Sequence, residues 1–239
     1  MIEELKAILQ SGGVTPDAAA YERLAAYHAL LLEWNARMDL TNVPEEEMAL
    51  RHYGDSLLPL MRADWFPADA QLIDVGTGAG FPGMALAIAR PDLRVTLLDA
   101  QRKRCDFLAA VREKLALANV TVLHARAEDA ARGELRERFD LAVARAVAPL
   151  NVLCEYLLPF VRVGGRALCW KGPALAQELP EGRRAARLLG ARCEEAARLP
   201  IEGREHYVQP FLKMQKTARQ YPRKSGTPGK NPLGKAVET

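Results

Sequence analysis

The sequence predicts an α/β protein, with a mostly parallel, doubly wound sheet that follows an N-terminal helical extension. Three observations support this fold class. From residue 71 onward, short apolar runs suited to buried strands alternate with helical segments. The first of these runs ends in a cluster of glycines, and the residues before it show helical periodicity. At 239 residues and 49% hydrophobic content, the chain can bury one substantial core.

The first 70 residues contain two predicted helices. One spans residues 15–34, with Thr15 as N-cap and Pro16 at the first helical position. Its apolar residues recur at helical spacing: Leu24, Tyr27, Leu31 and Trp34. The other begins after Pro44, where three glutamates complement the positive end of a helix dipole, and runs toward Leu58.

Five short apolar runs predict the parallel strands, at residues 71–75, 95–98, 120–123, 141–144 and 167–170. Helical segments are predicted between them, the most regular at 103–117 and a less regular one at 150–160. Another helix should follow Gly172 and Pro173. The later apolar run 206–214 is interpreted as an edge strand, because Pro210 fits an edge or a bulge.

The last 24 residues differ in composition from the rest. They hold six Lys or Arg against one Glu, with three Pro and three Gly, and this composition predicts a tail without a packed core. The predicted organisation is therefore a helical extension at 1–70, an α/β core at 71–215 and a basic tail at 216–239.

Composition limits the class of protein. The net charge of +3 is small and much of the excess lies in the tail. No apolar run approaches the roughly 18 residues of a membrane span, and the start is acidic rather than a basic leader. The four cysteines lack the paired spacing of a metal or redox site. These features predict a soluble cytoplasmic protein with reduced thiols, no metal and no membrane contact.

The glycine turn at Gly76, Gly78 and Gly80 is the main candidate for ligand binding. A strand that runs into such a turn lets a ligand approach the backbone closely. The dinucleotide-binding fingerprint requires a third glycine at the position that Phe81 occupies. The turn therefore does not match the motif that binds the diphosphate of a dinucleotide. A tight strand-to-helix connection without a ligand is the alternative interpretation.

Asp99 ends the next predicted strand, where a carboxylate can accept hydrogen bonds from both ribose hydroxyls. The turn and Asp99 together favour a nucleoside without a diphosphate, and S-adenosylmethionine fits that description. Glu128, after the third strand, is a candidate acceptor for the adenine amino group, with Ala127 beside it. Asp99 as a strand-end turn residue and Glu128 as a solvated carboxylate are the alternatives.

Four ordered segments, residues 34–41, 51–57, 72–83 and 144–150, make the sequence resemble the glucose-inhibited division protein B family over essentially the whole chain. The basic segment 221–233 resembles the tail of some members. Two positions depart from the common pattern: Asp99 where many relatives carry Glu, and Asp39 where Asn is frequent.

The resemblance implies a class I Rossmann-like methyltransferase that transfers a methyl group from S-adenosylmethionine to N7 of one guanine in 16S ribosomal RNA, in the 530-loop region. The implied partner is that RNA, the small ribosomal subunit or an assembly intermediate, and the expected protein is a monomer. The family holds its cofactor at positions that match Gly76, Phe81, Ala127, Glu128 and Arg145. The full expected cofactor set also includes Thr77, Gly78, Gly80, Asp99 and Gln101.

Arg145 is the leading candidate for contact with the target base, because it follows the fourth strand and arginine can pair with guanine O6. Guanine N7 carries a free lone pair, so a positioning role without a general base is expected. Arg51, His52 and Lys171 are further candidates for the RNA face; the alternatives are a histidine that packs between helices for His52 and a solvated surface lysine for Lys171. In the tail, phosphate contacts that are sensitive to salt are expected from basic residues, including Arg219, Arg223, Lys224 and Lys230.

Three alternatives remain at this stage. A methyltransferase for another RNA, a protein or a small molecule would share the cofactor half of the site. A nicotinamide-dependent dehydrogenase would use the same fold, although Phe81 counts against it. A non-catalytic RNA-binding protein would retain the pocket without using it.

Overall fold

The computed structural model describes residues 1–201 and 203–235. Their eight-stranded sheet has the order β3-β2-β1-β4-β5-β8-β6, and β7 pairs with β8. The strands are β1 (Gln71–Val75), β2 (Arg94–Asp99), β3 (Val120–His124), β4 (Phe139–Arg145), β5 (Val161–Lys171), β6 (Ala191–Cys193), β7 (Ala197–Arg198) and β8 (Tyr207–Lys213). The first five are mutually parallel and the last three run antiparallel to their neighbours, which confirms the predicted mostly parallel sheet.

The helices precede the sheet and then alternate with its strands. They are α1 (Ile2–Ser11), α2 (Ala18–Asn35), α3 (Glu45–Met48), α4 (Asp55–Leu57), α5 (Gly83–Ala89), α6 (Arg102–Lys114), α7 (Ala127–Ala130), α8 (Leu150–Leu157), α9 (Leu175–Leu188) and α10 (Thr227–Lys230). A π-helical turn, Ala49–Gly54, joins α3 to α4, and two short 3₁₀ turns, Leu58–Met61 and Ala63–Trp65, lead toward the sheet.

Two local predictions about the extension were wrong in detail. Helix α2 begins at Ala18, and its N-cap is Asp17 rather than Thr15, because the Asp17 carboxylate accepts from the Ala20 N–H at 2.7 Å. The helix predicted after Pro44 is interrupted by the π-helical turn. Such turns add a residue to the helix and are frequent at functional sites.

Hydrophobic clusters cover both faces of the sheet, as a doubly wound fold requires. One cluster joins β1 and β2 to α5 and α6, and it includes Leu5, Leu24 and Tyr27 of the extension, which are fully buried. The other joins the opposite face to α8 and α9. The extension therefore shares the core of the sheet, and the domain boundary at residue 70 stays a prediction.

The prediction of an edge strand at 206–214 was wrong. Strand β8 lies inside the sheet, with β5 on one side and β6 and β7 on the other. Pro210 pairs with Leu168 of β5, and it faces the gap where the partner of β8 changes from β7 to β6. A proline is tolerated there because its missing N–H falls at an irregularity of the ladder.

The prediction of an unpacked tail was also wrong for residues 216–235, and 236–239 lie outside the described residues. Thr217, Pro222 and Pro228 are buried. Two arginines of the core donate to tail carbonyls: Arg132 to Pro222 at 3.0 Å, and Arg136 to Tyr221 and Thr217, both at 2.7 Å. The two arginines thus provide hydrogen-bond donors for carbonyl groups of the tail, which has little regular secondary structure to satisfy them.

Candidate functional site

The glycine turn follows β1 at the carboxyl edge of the sheet. Gly76, Gly78 and Gly80 have φ angles of 71°, 58° and 100°, in the region that side-chain-bearing residues rarely adopt. The N–H groups of Gly76 and Thr77 both donate to Leu98 O, and that of Gly80 donates to Thr77 O. These amides are therefore used within the protein, which fits a ligand other than a diphosphate.

The three glycines differ in what surrounds them. A Cβ on Gly80 would lie 2.5 Å from the Tyr27 hydroxyl, so this glycine permits packing against α2. A Cβ on Gly76 would lie 2.9 Å from Val147 Cγ2, in the loop after β4. A Cβ on Gly78 would meet no described atom within 4 Å, so Gly78 borders open space.

Two buried carboxylates support the turn. Asp99, 3% exposed, accepts from Gly78 N at 2.9 Å and from Gln101 N at 2.8 Å, and its Oδ2 also lies 3.6 Å from Arg104 Nη1. Each oxygen accepts one hydrogen bond and has capacity for another donor. Asp74 is fully buried; its Oδ2 accepts from the Thr77 hydroxyl at 2.7 Å and from Gly83 N at 2.8 Å. Its Oδ1 has no partner among the described residues, and burial raises the pKa of Asp74 to about 6.

Ala127 and Glu128 begin α7, beside the carboxyl end of β3. Glu128 is 4% exposed, so its interpretation as a solvated loop carboxylate was wrong. Its Oε1 accepts from Gly226 N of the tail at 2.8 Å. Gln101 is exposed and occupies the N-cap position of α6.

Phe81 lies in an aromatic cluster between the turn and the extension. The His52 ring stacks on it, with centroids 4.5 Å apart and planes inclined by 13°. Tyr53 meets it edge-on at 5.0 Å, and the Arg145 guanidinium lies 5.3 Å from its ring centroid. Phe81 thus supports the two predicted site residues His52 and Arg145.

Arg145, at the end of β4, is held by the extension. Its Nη1 donates to Arg51 O at 2.8 Å and to Asp55 Oδ2 at 2.9 Å, and its Nη2 to His52 Nδ1 at 3.2 Å. The π-helical turn presents the Arg51 carbonyl. Of the five N–H donors of a guanidinium, only Nε–H and one Nη2–H lack an acceptor among the described residues, so a base contact through Nη1 is excluded.

His52 is neutral and buried. Its Nδ1 must accept, because Arg145 only donates, and its Nε2 therefore donates to Thr41 Oγ1 at 2.8 Å. Burial, and then the neighbouring Arg145 charge, lower the pKa of His52 to about 3. With 7% of its surface exposed, His52 is a support for Arg145, and its expected direct contact with RNA finds no support in this geometry.

A cavity of about 350 Å³ opens beside Arg145, between the extension and the carboxyl ends of β4 and β5. Arg51, His52, Arg145 and Lys171, all predicted site residues, line it together. Lys171 Nζ lies 2.6 Å from Glu178 Oε2, so its charge is paired. The lining holds four Arg or Lys against two carboxylates, which are Arg51, Arg145, Lys171 and Arg204 against Asp55 and Glu178.

Asp55 is the main site residue that sequence reasoning missed. It is 3% exposed, and its second oxygen accepts from His206 Nδ1 at 2.9 Å. Its carbonyl also accepts from the Trp170 indole at 2.8 Å, which ties β5 to the extension. The available signal was its place three residues after His52, within the segment 51–57, because its partners are distant in sequence.

The tail candidates divide into two groups. Arg219, Lys224 and Lys230 are exposed. Arg223 instead forms an ion pair with Glu155 at 2.6 Å, so the expected phosphate contact by Arg223 is contradicted by its geometry.

No helix within residues 1–201 and 203–235 combines the length and apolarity needed to cross a membrane.

The sheet order, the glycine turn and the acidic end of β2 together define a Rossmann-like α/β fold with a candidate nucleoside site. Solved methyltransferase structures share this fold. A mutant of the 16S rRNA (adenine(1408)-N(1))-methyltransferase from Catenulisporales acidiphilia, with its cosubstrate SAM, has a TM-score of 0.52 at 17% identity and covers 63% of this chain and 88% of that one. TYW2 of M. jannaschii in complex with AdoMet has a TM-score of 0.50 at 16% identity, with coverages of 67% and 77%.

The sequence comparisons identify the family. Residues 20–206 match GidB, described as rRNA small subunit methyltransferase G. Proteins named ribosomal RNA small subunit methyltransferase G are 42% identical in both Alkaliphilus oremlandii and Leuconostoc mesenteroides, over 96% and 97% of this chain and 99% and 98% of theirs. The chain belongs to the rRNA small subunit methyltransferase G family.

Family membership confirms the predicted resemblance, the methyltransferase class and S-adenosylmethionine as cofactor. The dehydrogenase and the non-catalytic RNA-binding protein were wrong alternatives. The residue-by-residue roles in the site stay predictions.

Proposed function

We propose that this protein transfers a methyl group from S-adenosylmethionine to N7 of one guanine in 16S ribosomal RNA. The observation that carries the proposal is the adjacency of the glycine turn and the basic cavity. Ala146 lines the cavity, and the next residue, Val147, lies against Gly76 of the turn. Ala146 has a φ of 55°, a conformation that costs a non-glycine residue about 1 to 2 kcal/mol and that clusters at functional sites.

The residues on the turn side fit an adenosine-containing cofactor. Asp99 has spare acceptor capacity for ribose hydroxyls, and Gly78 beside it borders open space. Glu128 is a buried carboxylate with one oxygen engaged by the tail, which leaves the other for the adenine amino group. We assign cofactor binding to these residues together with Gly76, Thr77, Gly80, Phe81, Gln101, Ala127 and Arg145.

The cofactor supplies a methyl group on a sulfonium, which is electrophilic without activation by the protein. Guanine N7 is an exposed acceptor on the major-groove edge, so its lone pair needs no general base. Both ring nitrogens of the buried His52 are already in hydrogen bonds within the protein. His52 is therefore not placed as a general base, which fits a reaction that needs none. Catalysis then depends on alignment, which contributes about 7 to 11 kcal/mol in favourable cases.

Arg145 aligns the base through its remaining donors. Asp55, His52 and the Arg51 carbonyl fix its guanidinium from the extension side. The free Nε–H and Nη2–H can donate to guanine O6 or to a phosphate while N7 stays available. Because a fixed side chain has little entropy left to lose on binding, this support favours precise positioning.

The RNA approaches through the basic cavity in this proposal. Arg51 and Arg204 share Glu47 as a partner, at 2.8 Å and 3.1 Å, so together they carry one more positive charge than that single carboxylate neutralises. The target guanine must leave its stack to enter. We further propose that the protein acts in the cytoplasm as a monomer, on the RNA, the small subunit or an assembly intermediate.

Two measurements test this function. Isothermal titration should show binding of S-adenosylmethionine and none of NAD; selective binding of NAD would overturn the cofactor assignment. With labelled cofactor, the protein should methylate 16S RNA when it is offered both the small and the large ribosomal subunits of cells that lack the gene. Transfer to large-subunit RNA instead would overturn the substrate.

A further inference from the structure

The C-terminal segment 217–231 crosses the core near the predicted adenine end of the cofactor site, and we name it the strap. Arg132 and Arg136 hold its carbonyls at 2.7 to 3.0 Å. At its start, Thr217 accepts from the buried Lys213 at 2.6 Å. The strap is thus anchored before it reaches the site.

Arg223 fastens the centre of the strap to α8. Its Nη2 lies 2.6 Å from Glu155 Oε2 and its Nε 3.0 Å from Oε1, while its backbone N–H donates to Oε1 at 2.7 Å. Glu155 is fully buried. A buried carboxylate without its partner is strongly destabilising, so the fold requires the strap to be in place.

Beyond Arg223, two consecutive residues of the strap bind the turn that begins α7. The Ser225 hydroxyl donates to Asp129 Oδ1 and the Gly226 N–H donates to Glu128 Oε1, both at 2.8 Å. Gly226 has a φ of 81°. This conformation aims its N–H at the carboxylate and is one that glycine adopts without strain.

We propose that the strap is a wall of the cofactor site, and that the Gly226 N–H is a positioning group for Glu128. By engaging Oε1, it fixes the carboxylate so that Oε2 accepts the 6-amino group of an adenine. The inference rests on the proposed function, because it assigns the adenine to Glu128. The exposed Arg219, Lys224 and Lys230 lie on the same segment. Any RNA contact of the strap would therefore involve these three residues, and not Arg223, Ser225 or Gly226, which bind the core.

The test compares S-adenosylhomocysteine, which has a 6-amino group and an unprotonated N1, with S-inosylhomocysteine, which has a 6-oxo group and a proton on N1. The wild type should prefer the amino ligand by about tenfold or more, as expected for a hydrogen bond to a charged acceptor. Glu128→Gln should reverse the preference. Its amide oxygen accepts from Gly226, so its NH₂ faces position 6.

Gly226→Pro removes the N–H and cannot adopt the positive φ, so the preference of the otherwise wild-type protein should fall toward parity. Gly226→Ala is the matched control. It keeps the N–H, and a Cβ there meets no described atom within 4 Å. The φ of 81° costs alanine about 1 to 2 kcal/mol of stability, but the folded variant should retain the preference. A folded Gly226→Pro protein with the wild-type preference would overturn the proposal.

Hydrogen exchange of the wild-type protein gives a test that does not depend on a variant. Saturating S-adenosylhomocysteine should slow amide exchange in peptides from 221–231 and leave α9 unchanged, because coupling between two sites is reciprocal. Unchanged exchange in the strap would overturn the inference. Failure of the wild type to bind S-adenosylhomocysteine at all would instead overturn the proposed function.

Discussion

Gly78→Ala should weaken cofactor binding much more than it weakens the fold. Gly78 has a φ of 58°, its N–H donates to Asp99, and a Cβ there would enter open space rather than protein. The backbone strain costs about 1 to 2 kcal/mol, which lowers the Tm of a chain of this size by roughly 2 to 8 °C. If the cofactor occupies that space, the extra carbon overpacks it by about 1 to 3 kcal/mol, or roughly 5- to 150-fold in Kd.

The assay is titration calorimetry with S-adenosylmethionine, combined with thermal unfolding without ligand. Gly164→Ala is the matched control. Gly164 has a φ of 86°, a Cβ there also meets no described atom within 4 Å, and it lies in the first half of β5, toward the opposite edge of the sheet from the turn. The Gly164→Ala variant should lose a similar amount of stability and keep the wild-type affinity for S-adenosylmethionine. Equal affinities for Gly78→Ala and Gly164→Ala would refute the placement of the cofactor.

Three further predictions address other parts of the site. Gly76→Asp should abolish binding of S-adenosylmethionine and lower the Tm, since a Cβ there lies 2.9 Å from Val147; calorimetric affinity near wild type would contradict this. His52→Gln should flatten the pH dependence of stability: the folded-state pKa of about 3 lies below the unfolded value, so His52 favours folding above pH 6.5 and loses that contribution as the pH falls. Between pH 7 and 5 the wild type should lose about 2 kcal/mol more than the variant in denaturant unfolding, and equal losses would count against a buried neutral histidine. Replacing Arg219, Lys224 and Lys230 by Ala should reduce the salt slope of RNA binding by about 2 with unchanged cofactor affinity, whereas an unchanged slope would show that these residues bind no phosphate.

The sheet and the glycine turn could be predicted because their signals are local. Short apolar runs mark buried strands, and the strand that ends at Val75 runs directly into glycines with the required positive φ. Asp99 was placed correctly at the end of β2 because parallel strands end at a common edge of the sheet. The strand that contains Pro210 was wrongly assigned to an edge. The proline is accommodated because the partner of β8 changes there from β7 to β6, and the local sequence does not show this change.

The missing parts of the site depend on contacts between distant segments. Arg145 and Asp55 are 90 positions apart, and Gly226 and Glu128 are 98 apart. Neither periodicity nor motif spacing reports such pairs. Composition was also misleading for the tail: its Pro, Gly and basic residues predict a solvated segment, yet Arg223 pairs with a buried carboxylate of α8.

The most direct test of the proposed reaction is the position of the transferred methyl group. Methylation at N7 gives the guanine ring a positive charge and makes its glycosidic bond labile, so borohydride followed by aniline cleaves the RNA at that nucleotide. After reaction of the protein with S-adenosylmethionine and unmodified small subunits, we expect one new cleavage at a single guanine of 16S RNA, absent with Gly76→Asp. A labelled methyl group without that cleavage, or one on a base-pairing nitrogen, would contradict the assignment of N7.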